Sequence, residues 1–129
     1  MQTFATFEDI EAWKMARILT RQVYAMTATA AIKKDYALSD QIRRAAVSVQ
    51  ANIAEGSERD GRLEFARYLL IARGSAGEIR SHLYVALDTG LITEEEFHEL
   101  YQRAWRITKM LSNLIVFLRR SGPARQQRS

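Results

Sequence analysis

Residues 41–56 read Gln-Ile-Arg-Arg-Ala-Ala-Val-Ser-Val-Gln-Ala-Asn-Ile-Ala-Glu-Gly, and their spacing decides the fold class. Ile42, Ala45, Val49 and Ile53, preceded by Leu38, recur every three or four residues. That period places them on one side of an α-helix, and nothing in the run alternates as a strand would. Beside the apolar stripe lies a polar one. At 100° per residue, Gln41, Arg44, Ser48, Asn52 and Glu55 fall within about 80° of each other. The spacing predicts a helix from about 37 to 55, with Gly56 suited to its C-terminus and residues 57–61 (Ser-Glu-Arg-Asp-Gly) as a polar turn.

Three further segments carry the same period. The first helix is expected from about 7 to 27, opened by Thr6 with Asp9 three residues on, a capping box with Asp in place of the usual Glu. Its stripe is Ala12, Ala16, Leu19, Val23 and Met26. Residues 28–36 connect it to the helix quoted above. The third helix is expected over 62–89, with Phe65, Leu69, Ala72, Ala76, Ile79, Leu83 and Ala86 inward and Gly90 closing it. Thr93 and Glu96 form a second capping box that opens the fourth helix, which runs to about 120 on Phe97, Leu100, Ala104, Ile107, Leu111, Leu114 and Leu118. Gly122 and Pro123 stop it. Pro123 is the single proline of 129 residues, so helix breakers are missing from the rest.

These segments predict an all-α fold: one four-helix bundle domain over 1–122 in up-down-up-down order, because short links and one apolar stripe per helix are buried most simply that way. A polar, disordered tail is expected over 123–129. A chain of this length buries roughly two thirds of its unfolded surface and needs no cross-link. It has no Cys, which excludes disulfides, thiol catalysis and Cys-based metal sites. No apolar run reaches the ~20 residues of a membrane span. Residues 1–4 lack the basic and apolar regions of a signal peptide, so a cytoplasmic location without membrane contact is expected.

The third helix repeats the polar stripe of the second with Glu64, Arg67, Ser75, Glu78 and His82. Groups bordering a core are partly desolvated and require partners, and the two stripes can satisfy each other, for example Arg44 with Glu78 and Arg67 with Glu55. Such a seam fixes helix register, or else marks a subunit interface or a ligand groove. Small residues (Ala72, Gly74, Ser75, Ala76, Gly77) run along the same helix. Glycine inside a helix costs about 1 kcal/mol relative to Ala, which suggests close packing there.

The formal charge is +4 and the pI near 9.7, but the excess is uneven. Residues 97–129 hold Arg103, Arg106, Lys109, Arg119, Arg120, Arg125 and Arg128 against Glu99 alone, a local charge of +6. Of the 19 basic residues 15 are Arg, the side chain suited to bidentate phosphate or carboxylate contacts. On the fourth helix Gln102, Arg106, Lys109, Asn113 and Arg120 lie within about 60° of arc, opposite its apolar stripe. Arg17 and Arg21 of the first helix are candidates to extend this basic surface. Trp13, Tyr24, Tyr68 and Trp105 could stack on bases, although aromatics at helical spacing more often serve core or interface.

Signs of catalysis are missing. A di-iron bundle needs Glu-x-x-His on two helices; Glu95-x-x-His98 occurs once, and Glu78 with His82 has the wrong spacing. Two His in the chain make a Ser-His-Asp triad improbable for Ser48 or Ser75, and there is no glycine-rich phosphate loop. Neither cofactor nor metal is expected.

The 41–56 run, preceded by Phe7-Glu8-Asp9-Ile10 with Trp13 and Ala16 and followed by Glu64-Phe65, Tyr68-Leu69 and Ile71-Ala72-Arg73-Gly74-Ser75, resembles the bacterial four-helix-bundle proteins named after intervening sequences in 23S rRNA genes. The resemblance covers about residues 7–92. It departs before the second helix, where Ala-Thr-Ala-Ala-Ile-Lys-Lys (28–34) replaces the family's usual Phe-Pro pair. It implies a homopentamer and little biochemistry. One related branch, the accessory variability determinants of diversity-generating retroelements, is a basic pentamer that binds nucleic acid and a reverse transcriptase. The Arg-rich C-terminal third fits that branch. The resemblance therefore implies a non-enzymatic protein binding RNA or RNA/DNA through Arg17, Arg21, Arg103, Arg106, Lys109, Arg119, Arg120, Arg125 and Arg128. The alternative is a protein-interaction scaffold with no affinity for nucleic acid.

Overall fold

A computed structural model describes residues 6–120, and every regular element among them is helical. A 3-10 turn (Phe7–Asp9) precedes α1 (Glu11–Thr27), a one-turn α2 (Ala30–Lys33), α3 (Tyr36–Ser57), α4 (Arg62–Asp88) and α5 (Glu94–Arg120). Arg125 and Arg128, with the proposed Gly122-Pro123 stop, lie outside the described residues.

Four long helices bundle around one apolar core. Their buried stripes are Ala12, Ala16, Leu19, Val23 and Met26 on α1, and Leu38, Ile42, Ala45, Ala46, Val49 and Ile53 on α3. The α4 stripe is Ala66, Leu69, Ala72, Ala76, Ile79, Leu83 and Ala86, and the α5 stripe Phe97, Leu100, Ala104, Ile107, Leu111, Ile115 and Leu118. α3 packs on α4, α4 on α5, and α1 on both α3 and α5. Neighbours run antiparallel: along α4 and α5, Arg62 meets Leu118, Arg73 meets Ser112 and Arg80 meets Trp105, one number rising as the other falls.

The stripes differ from the sequence reading at three flank positions. Ala46 is buried beside Ala45 on α3. Ala66, not Phe65, is buried, and Ile115, not Leu114. Phe65 and Leu114 are half-buried against the edge of the core. A helical wheel cannot separate adjacent flank positions, because the direction from which the neighbouring helix covers a flank is a tertiary fact.

The ends of the helices follow local chemistry. Thr93 and Glu96 form the reciprocal box: Thr93 N donates to Glu96 Oε1 at 2.9 Å and Glu96 N to Thr93 Oγ1 at 3.0 Å. Asp35 caps α3 by accepting from Leu38 N at 3.1 Å. At the N-terminus one expected helix is two elements. Asp9 accepts from Thr6 N and closes a single 3-10 turn, after which Ile10 is extended (φ −81°, ψ 121°) and buried. The expected 28–36 connection holds the short α2, whose Ile32 joins the core and whose carbonyl accepts from the buried Ser39 Oγ at 2.9 Å.

Glycines serve two purposes. Gly61 (φ 91°) and Gly90 (φ 74°) take the left-handed region at turns, where a side chain is strained. Gly56 is different: it lies inside the last turn of α3, and a Cβ there would sit 2.6 Å from Tyr68 Cβ and 3.0 Å from Phe65 Cδ1. It marks a close approach of α3 and α4. Gly74 and Gly77, expected to mark close packing, meet no neighbouring backbone; a Cβ on Gly74 has nothing within 4 Å and one on Gly77 meets only Arg80 Nη2 at 3.6 Å.

Candidate cationic face and groove of α4 and α5

The polar stripes of α3 and α4 come together less than the sequence reading expects. Their ion pairs stay local in sequence: Arg44 binds Asp40 at 2.7 Å, Arg59 in the turn after α3 binds Glu55 at 2.7 Å and Arg67 binds Glu64 at 3.0 Å. Arg44–Glu78 and Arg67–Glu55 are not formed among the described residues. Partners at i+3 or i+4 are already adjacent, so no helix need move to satisfy them. Arg67 holds Glu64 through both Nε and Nη2, and that hydrogen bonding keeps the Glu64 carboxyl below its ordinary range. The cross-helix link is neutral. Ser48 Oγ and Ser75 Oγ share a 2.8 Å hydrogen bond, and Asn52 Nδ2 donates to Ser48 O at 2.9 Å and Ser48 Oγ at 3.1 Å. Gln41 and Glu55 remain exposed, as does Glu78, which faces His82 at 3.4 Å.

The basic residues of α5 divide into two groups. Arg103 is half-buried toward α1 and donates through Nε to Gln22 Oε1 at 2.9 Å. Arg106, Lys109, Arg119 and Arg120 are exposed, and none has a carboxylate within 4 Å among the described residues. The reason lies in the sequence, since no acid follows Glu99. Arg17 and Arg21 are exposed too, but on another surface. Thr20 and Thr27 mark the α3 side of α1, through contacts to Ala46 and Arg43, and Gln22 marks its α5 side. At 100° per residue, Arg17 falls about 60° from Thr20 and Arg21 points directly outward. Neither joins the α5 stripe.

Three arginines that the sequence reading passed over do join it. Arg62, Arg73 and Arg80 of α4 lie within about 20° of one another on the helical wheel, and all three reach α5. Arg62 Nη1 donates to Leu118 O at 3.1 Å, Arg73 Nη1 donates to Ser112 Oγ at 3.1 Å, and the Arg80 guanidinium lies 4.7 Å from the Trp105 ring centre and 6.0 Å from that of Tyr101. Lys109 covers Trp105 from 5.7 Å. The signal was present as a shared arc on α4, but it gains meaning only once α5 is known to lie alongside.

The four candidate aromatics are also sorted. Trp13 packs against the core and Phe7, with ring centres 5.1 Å apart. Tyr68 lies under Arg59 and Arg67, and Tyr24 under Arg43. Trp105, 39% exposed, is the one beside Arg80 and Lys109. Tyr84, Tyr101 and Phe97 form an aromatic cluster toward the acidic first turn of α5.

Chemically this surface suits a polyanion. Guanidinium groups anchored by a carbonyl, a hydroxyl or a π face, not by carboxylates, retain free N–H edges for phosphate oxygens. Among the described residues no three His, Asp or Glu side chains gather as a metal ion would require, and no helix is long and apolar enough to cross a membrane.

Comparison with known proteins places the chain in context. The 23S rRNA-intervening sequence protein family matches residues 8–113. A crystal structure of a protein of unknown function from the S23 ribosomal protein family of Bacteroides thetaiotaomicron superimposes with a TM-score of 0.75 at 25% sequence identity, covering 81% of this chain and 97% of that one. No curated protein matches.

Proposed function

The chain belongs to the 23S rRNA-intervening sequence protein family, and from that premise we propose that it is a non-enzymatic, nucleic-acid-binding accessory protein. The observation that carries this reading is the run of cations on α5 and along its contact with α4 that no carboxylate neutralises among the described residues. Phosphate contacts from such a surface are strong at low salt and largely indifferent to sequence. The bundle is read as an up-down-up-down protomer of a homopentamer. Five copies of one basic face would build a field that a single copy lacks. The partner implied by the related branch is a reverse transcriptase of a diversity-generating retroelement, for which a neighbouring reverse transcriptase gene with template and variable repeats is the deciding genomic observation.

A titration of fluorescent RNA from 50 to 200 mM salt tests the reading. Four contacted phosphates on a single strand give a log–log slope of affinity against salt near −3. Charge reversal at Arg106, Lys109, Arg119 and Arg120 is expected to abolish the complex. Undiminished binding by that variant, or no binding by the wild type, refutes the proposal.

A second reading, an interaction scaffold, draws on the other side of the molecule. Val47 and Ile71 stand 45% and 43% exposed, with Gly74 open beside Ile71 on α4. This face suits a second copy of the chain, and light scattering tests the pentamer directly. A scaffold without nucleic-acid affinity predicts binding that salt does not weaken.

A further inference from the structure

Resting on the nucleic-acid reading above, we infer that the face shared by α4 and α5 takes an unpaired single strand, with one base stacked on Trp105. The largest π surface of α5 is 39% exposed and stands six residues past Glu99, the last acid of the chain. A side chain of this kind on a water-facing flank contributes little to the core. Its neighbours suit the contents of a nucleotide, a flat base and a charged phosphate. Arg80 lies over the ring at 4.7 Å and Lys109 at 5.7 Å, so a base that stacks there displaces the more distant ammonium, which then meets the phosphate.

Arg80 supplies the second observation. Its Nε is buried without a hydrogen-bond partner, and no carboxylate lies within 4 Å of the side chain among the described residues. Buried polar groups are ordinarily paired. Here two aromatic rings hold the guanidinium in place, so its outer N–H groups stay available beside Trp105. From that point a line of cations runs past Lys109 and the Arg73–Ser112 pair to Arg119, fourteen residues and about 21 Å along α5. A strand seated with a base on Trp105 would lead its phosphates down this line. The opposite direction, toward Glu94, Glu95, Glu96 and Glu99, repels it.

Duplex and single strand differ in what they can use. A duplex keeps its bases stacked inside and offers phosphates to the outer cations alone. A single strand exposes π faces, each of which can stack on an aromatic with little sequence preference. Trp105 therefore discriminates strandedness, and Arg106 and Arg120 on the outer face do not.

The test compares a labelled single strand with its blunt duplex by fluorescence anisotropy, each as RNA and as DNA so that the tighter pair assigns the sugar. Trp105→Leu is expected to weaken single-strand binding roughly tenfold and duplex binding less than twofold. Arg106→Glu with Arg120→Glu weakens both. In a Trp13→Phe background Trp105 is the one remaining tryptophan, and its emission is expected to be quenched by the single strand and unchanged by the duplex. Wild-type binding with no loss in Trp105→Leu, with equal loss on both substrates, or without selective quenching overturns the stacking inference and leaves the function standing. Binding to neither substrate overturns both.

Discussion

Gly56→Ala is the sharpest probe of the fold, because the structure predicts a sign opposite to that of helix propensity. Gly56 lies within α3, and replacing a helical glycine by alanine ordinarily stabilises by about 1 kcal/mol. Here the added methyl would stand 2.6 Å from Tyr68 Cβ and 3.0 Å from Phe65 Cδ1, against a comfortable carbon–carbon separation of about 3.5–4.0 Å. Tyr68 Cβ is fixed to the α4 backbone and cannot swing aside, so α3 and α4 must separate locally by about 1 Å. Overpacking of this kind costs roughly 1–3 kcal/mol, and the propensity gain offsets part of it. A net loss of up to about 2 kcal/mol remains, which at this chain length lowers Tm by up to roughly 10 °C. The assay is thermal and urea unfolding followed by helical circular dichroism at one fixed protomer concentration, since assembly would couple stability to concentration. Gly74→Ala is the control: its methyl has open space, so the protomer is expected to gain up to about 1 kcal/mol. A Gly56→Ala protein more stable than the wild type by about 1 kcal/mol, as helix propensity alone predicts, would refute the close approach. If Gly74→Ala stabilises the protomer and weakens self-association, the face beside Ile71 is where copies meet.

Three other predictions are accessible to the same measurements. Ile115→Ala, at a fully buried site, is expected to cost about 2–5 kcal/mol and Leu114→Ala less than roughly half as much; equal losses would mean that the α5 rotation is wrong. A double-mutant cycle on Ser48→Ala and Ser75→Ala is expected to give a coupling of about 0.5–1.5 kcal/mol, whereas zero coupling would show that the 2.8 Å bond adds nothing. Arg67 lowers the Glu64 carboxyl in the folded protein, so the stability from this pair is present above the unfolded value of about 4.3 and is lost as pH falls through the lower folded value. Arg67→Gln is accordingly expected to flatten the acid limb of the stability–pH curve, an effect that salt diminishes because the pair is exposed.

Much of the molecule was legible along the chain because its determinants are local. The period of Leu38, Ile42, Ala45, Val49 and Ile53 required a helix with one buried side, and all five are buried. Thr93 and Glu96 are three residues apart, and a box at that spacing closes without help from the rest of the fold. The acid-free stretch after Glu99 is likewise a property of the sequence, and it left Arg106, Lys109, Arg119 and Arg120 without carboxylate partners wherever α5 packed.

Only tertiary structure could decide what depends on which helices become neighbours. The wheel showed two polar stripes but not that their charges pair with neighbours in sequence while two serines bridge between them. It gave Gly56 a place at a helix end, when the reason for a missing side chain there is Tyr68 on another helix. It placed Arg62, Arg73 and Arg80 on one arc of α4, yet that arc joins the basic surface only because α5 runs antiparallel beside it and sets Ser112 and Trp105 opposite. Periodicity acts over a few residues and is written in order along the chain. Contacts between residues on different helices arise from packing four stripes into one core, and no single stripe contains that information.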